Sequence, residues 1–427
     1  MYPELTEAER FPRLSPRGRQ FLHAMRQHPH APIWNWPNGE QLNDAGLARV
    51  QQFANRLQSA TPIDSLEEPD WLTAHVDYCL TEVPFYRQRS RVGTRFDDLP
   101  TCARSDMAPQ VWQFVPDDQP LDELIAFSSS GTTGQPMRTP HHPYSAACGV
   151  PLMEHAIQNL VGVKFRRGPG EVALHHFAAY PDAFTTAIVV SYLEEAGCIR
   201  VNLDPSAWRN PNDCVAYLQH WQAPIWLGDP VAFGALERLE LAQPPQAILS
   251  SILQLSDGYA RHLQERYGCP VLDFYAMTEA GLVAVRDESG HRILPPDLFV
   301  EILDDAGNRC APGVRGEITL TGGRNPFLPL LRYRTGDYAA LQIVGGHRIL
   351  LDLIGRDPVE YLAESGEVVH SMQITRLMRR FPVRRYELKP VTNGYEVELA
   401  GDVDLRAVER ELRHLFGDRL VSINASL

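Results

Sequence analysis

Lysine is almost absent from this sequence. Of its 40 basic residues only Lys164 and Lys389 are lysines and the other 38 are arginines, a skew of the kind a GC-rich genome leaves. Any step that needs a compact ammonium therefore has two positions to draw on, because a guanidinium is broad, planar and effectively always charged. Membrane-length apolar runs are missing too. No segment approaches the roughly 20 apolar residues of a membrane span, and the opening MYPELTEAERFPRLSPRGRQ has acidic residues and no apolar leader core. A cytoplasmic protein with no membrane partner is expected. The seven cysteines (Cys79, Cys102, Cys148, Cys198, Cys214, Cys269 and Cys310) are odd in number and nowhere form a C-x-x-C pair, which fits neither a disulfide framework nor a structural zinc site. A net charge of −13 argues against a nucleic-acid partner. No internal repeat or low-complexity tract is visible.

What is present is an ordinary globular composition, 44% hydrophobic, 22% charged and 9% aromatic over 427 residues, long enough for two domains or more. To about residue 110 the spacing predicts helices, as in FLHAMRQ and GLARVQQFANRLQSA. From about 121 to 350 short apolar runs alternate with helical segments, EVALHHFAA, AFTTAIVVSYLEEAG and CIRVNL among them, which predicts α/β layering. DLFVEILDDAGNR and GVRGEITLTGG then read as hairpins. A boundary is expected near LDLIGRDP, separating a large domain of residues 1–353 from a small one of 354–427 built on ITRLMRRF, YEVELAG and LRAVERELRHLF.

Three segments carry chemistry. The first, Ala126–Pro136, places Ser128, Ser129, Ser130, Gly131, Thr132, Thr133 and Gly134 directly after an apolar run. Hydroxyls and free amides at that density make an anion-binding concavity, and the run departs from the P-loop pattern G-x-x-x-x-G-K-[ST]; the alternative is a solvated surface loop. In the second, Val271–Gly281, Tyr275 could stack on a planar base and Glu279 could hold magnesium through hard carboxylate oxygens, or the two are a core tyrosine and a loop carboxylate. In the third, Leu331–Tyr338, Asp337 follows a glycine turn at a strand end and could accept hydrogen bonds from ribose hydroxyls, or from its own backbone.

In this order the S-S-G-T-T-G, Y-x-x-T-E and Y-R-T-G-D segments resemble the adenylate-forming superfamily. Val83–Arg87, Asp98–Pro100, Trp226–Pro230, Ser256–Asp257, Ser289–His291 and Gly355–Arg356 are similar to its phenylacetate–CoA ligase branch, from about residue 80 to 360. The resemblance implies an α/β adenylate-forming fold, with layered sheets and a distorted β-barrel in the large domain and a small α+β C-terminal domain. It implies that Ser128 to Gly134 hold the ATP phosphates, that Asp257 and Tyr275 surround the adenine, that Thr278 and Glu279 meet phosphate and Mg2+, that Asp337 binds ribose and that Arg356 marks a hinge. The acid pocket would be lined by His175, His176, Phe177, Ala178 and Tyr180 with Ala280, Gly281 and Leu282, although the histidines could equally be satisfied core residues. Aromatic walls over a glycine floor suit a small aromatic carboxylic acid. ATP, Mg2+ and CoA are the implied cofactors and co-substrates, and a homodimer is the expected assembly.

The sequence also departs from that pattern. Gln135 stands where a lysine usually follows the phosphate loop, with Arg138 as the nearest cation. The last ten residues hold no lysine, which leaves Lys389, within Arg385–Lys389, as the one ammonium of the small domain and so the candidate adenylation lysine, or an ordinary surface residue. The residues after Asp357 lack the paired aspartates of the usual hinge. Two other functions therefore stand beside a CoA ligase. One is an adenylating enzyme of a specialised, for example antibiotic, pathway, which passes its product to an amine, a carrier protein or a reductase, or activates an oxyanion such as nitrite. The other is a nucleotide-binding protein without turnover.

Overall fold

The computed structural model describes residues 5–425 except 61–64, 129–136, 181–182, 254, 256, 355–359, 379, 382 and 402–403. It divides into two compact units, residues 1–125 with 140–354, and residues 126–139 with 355–427.

In the first unit the N-terminal third is helical, as the spacing predicts. The helix Asp44–Ser59 starts where Asn43 accepts the Gly46 N–H through its side chain at 2.8 Å, satisfying a donor that the first turn leaves open. Its buried residues Leu47, Val50, Phe53, Ala54 and Leu57 recur every three or four positions and form one packed face.

A 13-stranded sheet follows. From one edge its order is Leu298–Leu303, Arg315–Gly322, Leu330–Val344, His347–Ile354, Gly290–Ile293, Gly281–Asp287, Val271–Met277, Ala247–Ser250, Ile225–Gly228, Val172–Ala178, Ala196–Asn202 and Thr186–Val190. The short strand Cys102–Ala103 lies parallel beside Leu330–Val344. The run from Val271–Met277 to Ala196–Asn202 is parallel and, as in parallel sheets generally, is apolar on both faces. Alternation along each strand divides its residues between two cores. Phe177, Trp226 and Ile248 face one cluster, whereas Leu174, Ile225 and Leu249 face the other, which also takes the Asp44–Ser59 helix. The other half of the sheet is antiparallel and hairpin-connected, in the section where the sequence turns purely β.

One expectation is corrected here. Asp337 does not sit at a strand end, because Leu330–Val344 runs through it as one 15-residue strand. Gly336, at φ +82°, accommodates the break within that strand, and the ladder to Arg315–Gly322 slips register across Arg334–Tyr338 and again between Leu330 and Tyr333. The bulge bends the backbone without ending the sheet.

In the second unit, residues 360–425 form an α+β fold. A three-stranded sheet of Val383–Val391, Gly394–Gly401 and Leu420–Ala425 packs with the helices Ser371–Met378 and Leu405–Phe416. Val408, Leu412 and Phe416, four apart on the second helix, are fully buried with Tyr386, Val397 and Leu399. All seven cysteines are free thiols. Among the described residues no helix is long and apolar enough to cross a membrane.

Candidate active site

The carboxyl end of the Val271–Met277 strand turns back into Gly281–Asp287 through Thr278, Glu279 and Ala280. Gly281 closes this turn at φ +72°, a left-handed conformation that glycine adopts without steric cost. Crevices beyond the carboxyl ends of parallel strands are where α/β sheets bind ligands.

Glu279 is only 5% exposed. Its Oε1 accepts hydrogen bonds from the Tyr333 hydroxyl at 2.9 Å and from the Arg104 Nη1 at 3.2 Å, whereas Oε2 has no protein partner among the described residues. Local structure brings the two donors together. Cys102 pairs with Tyr333 in the parallel ladder, and the Asp106 carboxylate accepts the Ala103 N–H at 2.8 Å, fixing the entry to the helix Arg104–Met107. Beside this group the Tyr275 hydroxyl donates to Asp337 Oδ2 at 2.6 Å, both residues being under a tenth exposed. The Asp337 N–H in turn donates to Thr335 Oγ1 at 3.0 Å.

The turn is also held by its backbone. The buried His141 hydrogen-bonds the Thr278 backbone, and burial pulls the His141 pKa down from 6.5 to about 4, so the ring is neutral at ordinary pH. Asn325 Nδ2 donates to the Pro140 carbonyl at 2.7 Å. The buried Arg324 guanidinium donates to the Leu282 carbonyl at 2.9 Å and also reaches the carbonyls of Leu294, Pro295 and Pro296.

The residues expected to line an acid pocket divide. Strand alternation turns His175 and Phe177 into the core. Each is 1% exposed, their rings meet edge to face at 5.6 Å, and Phe177 also packs on Trp226. Burial lowers the His175 pKa to about 4. His176 points to the opposite sheet face and is partly buried, with its pKa held well below the usual range by burial and then by Arg200. Tyr180, past the carboxyl end of its strand, donates to Asp229 Oδ2 at 2.8 Å. Ala280 is buried and Gly281 exposed, in the turn beside Glu279.

Of the expected phosphate loop, Ser128 ends the exposed strand Ile125–Ser128, and Ser129, Ser130, Gly131, Thr132, Thr133 and Gly134 lie outside the described residues, as does Arg356. Asp257 begins the helix Asp257–Tyr267. Lys389 lies on the Val383–Val391 strand with its side chain 43% exposed, its ammonium 2.9 Å from Glu398 and 3.7 Å from Glu387; the hydrogen bond to Glu398 raises its pKa.

Sequence reading missed Arg104, His141 and Arg324, which sit in no motif and act across 175 positions for Arg104 and Glu279, 137 for His141 and Thr278, and 42 for Arg324 and Leu282. Tyr333 lay inside the quoted Y-R-T-G-D segment without a role. As a cation site, Glu279 offers one open hard oxygen, and no group of three or more His, Cys, Asp or Glu side chains is disposed to cage a metal among the described residues. That fits Mg2+, which is usually held by one or two carboxylates and completed by substrate phosphates.

The sequence model of the AMP-binding enzyme family matches residues 82–325, a span that includes Arg104, His141, Tyr275 and Glu279. The chain is 23% identical over 402 residues to the phenylacetate–coenzyme A ligase of Pseudomonas putida, covering 87% of this chain and 86% of that protein. It is also 23% identical over 291 residues to a medium/long-chain fatty-acid–CoA ligase of Mycobacterium tuberculosis, over 61% of this chain and 52% of the relative. Among solved structures, 2-hydroxyisobutyryl-CoA ligase with 2-HIB-AMP and CoA superposes with a TM-score of 0.52 at 16% identity, covering 89% of this chain and 86% of that one. At that identity the likeness speaks for the fold.

Proposed function

Since this chain belongs to the AMP-binding enzyme family and is an AMP-forming acid ligase of the adenylate-forming superfamily, we propose that it activates a small aromatic carboxylic acid as its acyl-adenylate and passes the acyl group to CoA. The observation that carries the site assignment is a pair of buried carboxylates, Glu279 in the turn after Val271–Met277 and Asp337 within Leu330–Val344. Glu279 has one oxygen pinned and one open, and Asp337 is aligned by Tyr275.

In the first half-reaction a carboxylate oxygen of the acid attacks the α-phosphorus of ATP, the bond to the β-phosphate bridging oxygen breaks, and pyrophosphate leaves. No covalent enzyme intermediate is needed; the protein supplies alignment and charge neutralisation. Glu279 would hold Mg2+, which would supply positive charge against the phosphates. Tyr275 and Asp337 hold the nucleoside, the aspartate accepting from ribose hydroxyls and the tyrosine ring lying against the base, while the amides of Ser128 to Gly134 receive the phosphates and Asp257 lies near the adenine. The neutral His141 and Arg324 keep the Thr278–Leu282 backbone in place. In the second half-reaction the CoA thiolate attacks the acyl carbon and AMP departs. A two-domain arrangement, with residues 354–427 as the mobile small domain and Arg356 at its hinge, is part of this reading.

The support for an aromatic acid is the relation to phenylacetate–coenzyme A ligase, together with Tyr180, His176, Ala280 and Gly281 near the strand ends. The test is acid-dependent pyrophosphate release across a panel of aryl, arylacetic and aliphatic acids, with the product identified by mass spectrometry. Release with phenyl-substituted acids and an acyl-CoA product supports the proposal. Hydroxylamine trapping of the adenylate with no thioester moves the acceptor away from CoA, and turnover confined to long aliphatic acids removes the aromatic pocket.

A further inference from the structure

We propose that Arg104 is a positioning residue for cation binding: with Tyr333 it pins Oε1 of Glu279 so that Oε2 is presented to a hard divalent cation. The inference rests on the reading of Glu279 as a carboxylate ligand given above.

The geometry separates this arrangement from an ordinary buried ion pair. A guanidinium and a carboxylate that meet for stability alone favour the bidentate fork, with two parallel N–H···O bonds. Here Arg104 reaches Oε1 only, and the Tyr333 hydroxyl donates to that same oxygen. One oxygen thus receives two donors and the other none from the described protein. Burying a charge in this way is costly unless the remaining lone pairs find partners, so the open oxygen is the part of the arrangement that a ligand explains. The side chains of Arg104 and Glu279 are 14% and 5% exposed and Tyr333 is fully buried, so the carboxylate has little freedom to rotate and exchange its oxygens.

The donors are themselves fixed. The ladder pairs Cys102 with Tyr333 and Ala103 with Arg334, which places the first residue of the Arg104–Met107 helix next to the tyrosine. The Asp106 side chain caps that helix from within. Partners behind a metal ligand that set its orientation typically account for 10- to 100-fold in metal affinity.

The experiment uses the full-length enzyme with α,β-methylene-ATP, a nucleotide that cannot release pyrophosphate, and Mn2+ as a paramagnetic probe, free Mn2+ being read by electron paramagnetic resonance. Wild type is compared with Arg104→Ala, Arg104→Lys, Tyr333→Phe and Glu279→Ala, each checked for a cooperative melt. The expected result is that Arg104→Ala raises half-saturating Mn2+ by about tenfold or more. Arg104→Lys should recover part of the loss, since an ammonium can still donate to Oε1, and metal-free nucleotide affinity should stay unchanged. A large shift in Glu279→Ala with none in Arg104→Ala overturns the positioning role and leaves Glu279 as ligand. No shift in Glu279→Ala removes the ligand reading itself. If Arg104→Ala does not fold, Arg104→Lys and Tyr333→Phe decide, and unchanged half-saturation in both overturns the proposal.

Discussion

Two glutamates, one in each unit of this protein, hold a basic side chain, and they do different things. Glu279 meets Arg104 in a setting where both are largely shielded from water. Glu398 meets Lys389 on a strand where both side chains are about two-fifths exposed, and Glu409 with Arg413 and Glu411 with Arg380 repeat that surface pattern on the Leu405–Phe416 helix. The difference lies in what happens to the second carboxylate oxygen. In water it is solvated at no cost, and the pair is worth little. In the turn after Met277 it has no partner among the described residues, so under the proposed reading an ion pair becomes a binding group through burial and asymmetry, not through the pairing itself.

The sharpest way to break this contrast is to remove the buried carboxylate. Glu279→Ala should lower magnesium-dependent pyrophosphate release by about 10³-fold, several kcal/mol of lost charge stabilisation, with far-UV circular dichroism unchanged; near-wild-type turnover would take Glu279 out of the site. Next comes Asp337→Ala, expected to weaken ATP binding by about 1.5–3 kcal/mol through loss of a charge-assisted hydrogen bond. Calorimetry showing unaltered affinity would mean that Tyr275 and Asp337 are only a structural pair.

A smaller effect should appear in stability against pH. Burial depresses the folded-state pKa of His141 and of His175 from 6.5 to about 4. Between those values the unfolded chain binds more protons than the folded one, so the stability these neutral rings give is present above pH 6.5 and lost as pH falls toward 4. Urea midpoints measured across that window should fall, by up to about 1.4 kcal/mol per pH unit for each histidine. A His175→Asn variant whose midpoints fall as steeply as wild type would show that His175 does not contribute. The smallest effect is expected at the exposed pair. Lys389→Ala should leave adenylation within about twofold, as for a surface ion pair. A loss near 10²-fold would instead make Lys389 the adenylation ammonium, a cost on the scale of removing one preorganised charge-stabilising donor.

How much of this was legible in advance depends on distance along the chain. The helix Asp44–Ser59 was readable because its apolar spacing is local. Tyr275, Glu279 and Asp337 could be picked out because short segments of recognisable pattern carry them. Arg104 and His141 could not, since nothing near them in sequence states that they approach Glu279 and Thr278. The burial of His175 and Phe177 was not legible for a related reason. Period-two alternation says that neighbours on a strand face opposite ways, and only the packing, such as that of Phe177 on Trp226, says which of the two cores a residue joins.

By itself, then, the sequence determined the α/β order of elements, the absence of membrane-length helices from what is described, the scarcity of lysine and the segments that carry Glu279 and Asp337. These follow from composition and near-neighbour spacing, which local conformational preference reads directly. The tertiary structure alone decided which oxygen of Glu279 is pinned and which is open, that Asp337 sits in a bulge inside a long strand, and that Lys389 lies beside Glu387 and Glu398. Those outcomes depend on strands and side chains far apart in the chain meeting in one place, and such pairings are set by the packing of the whole sheet.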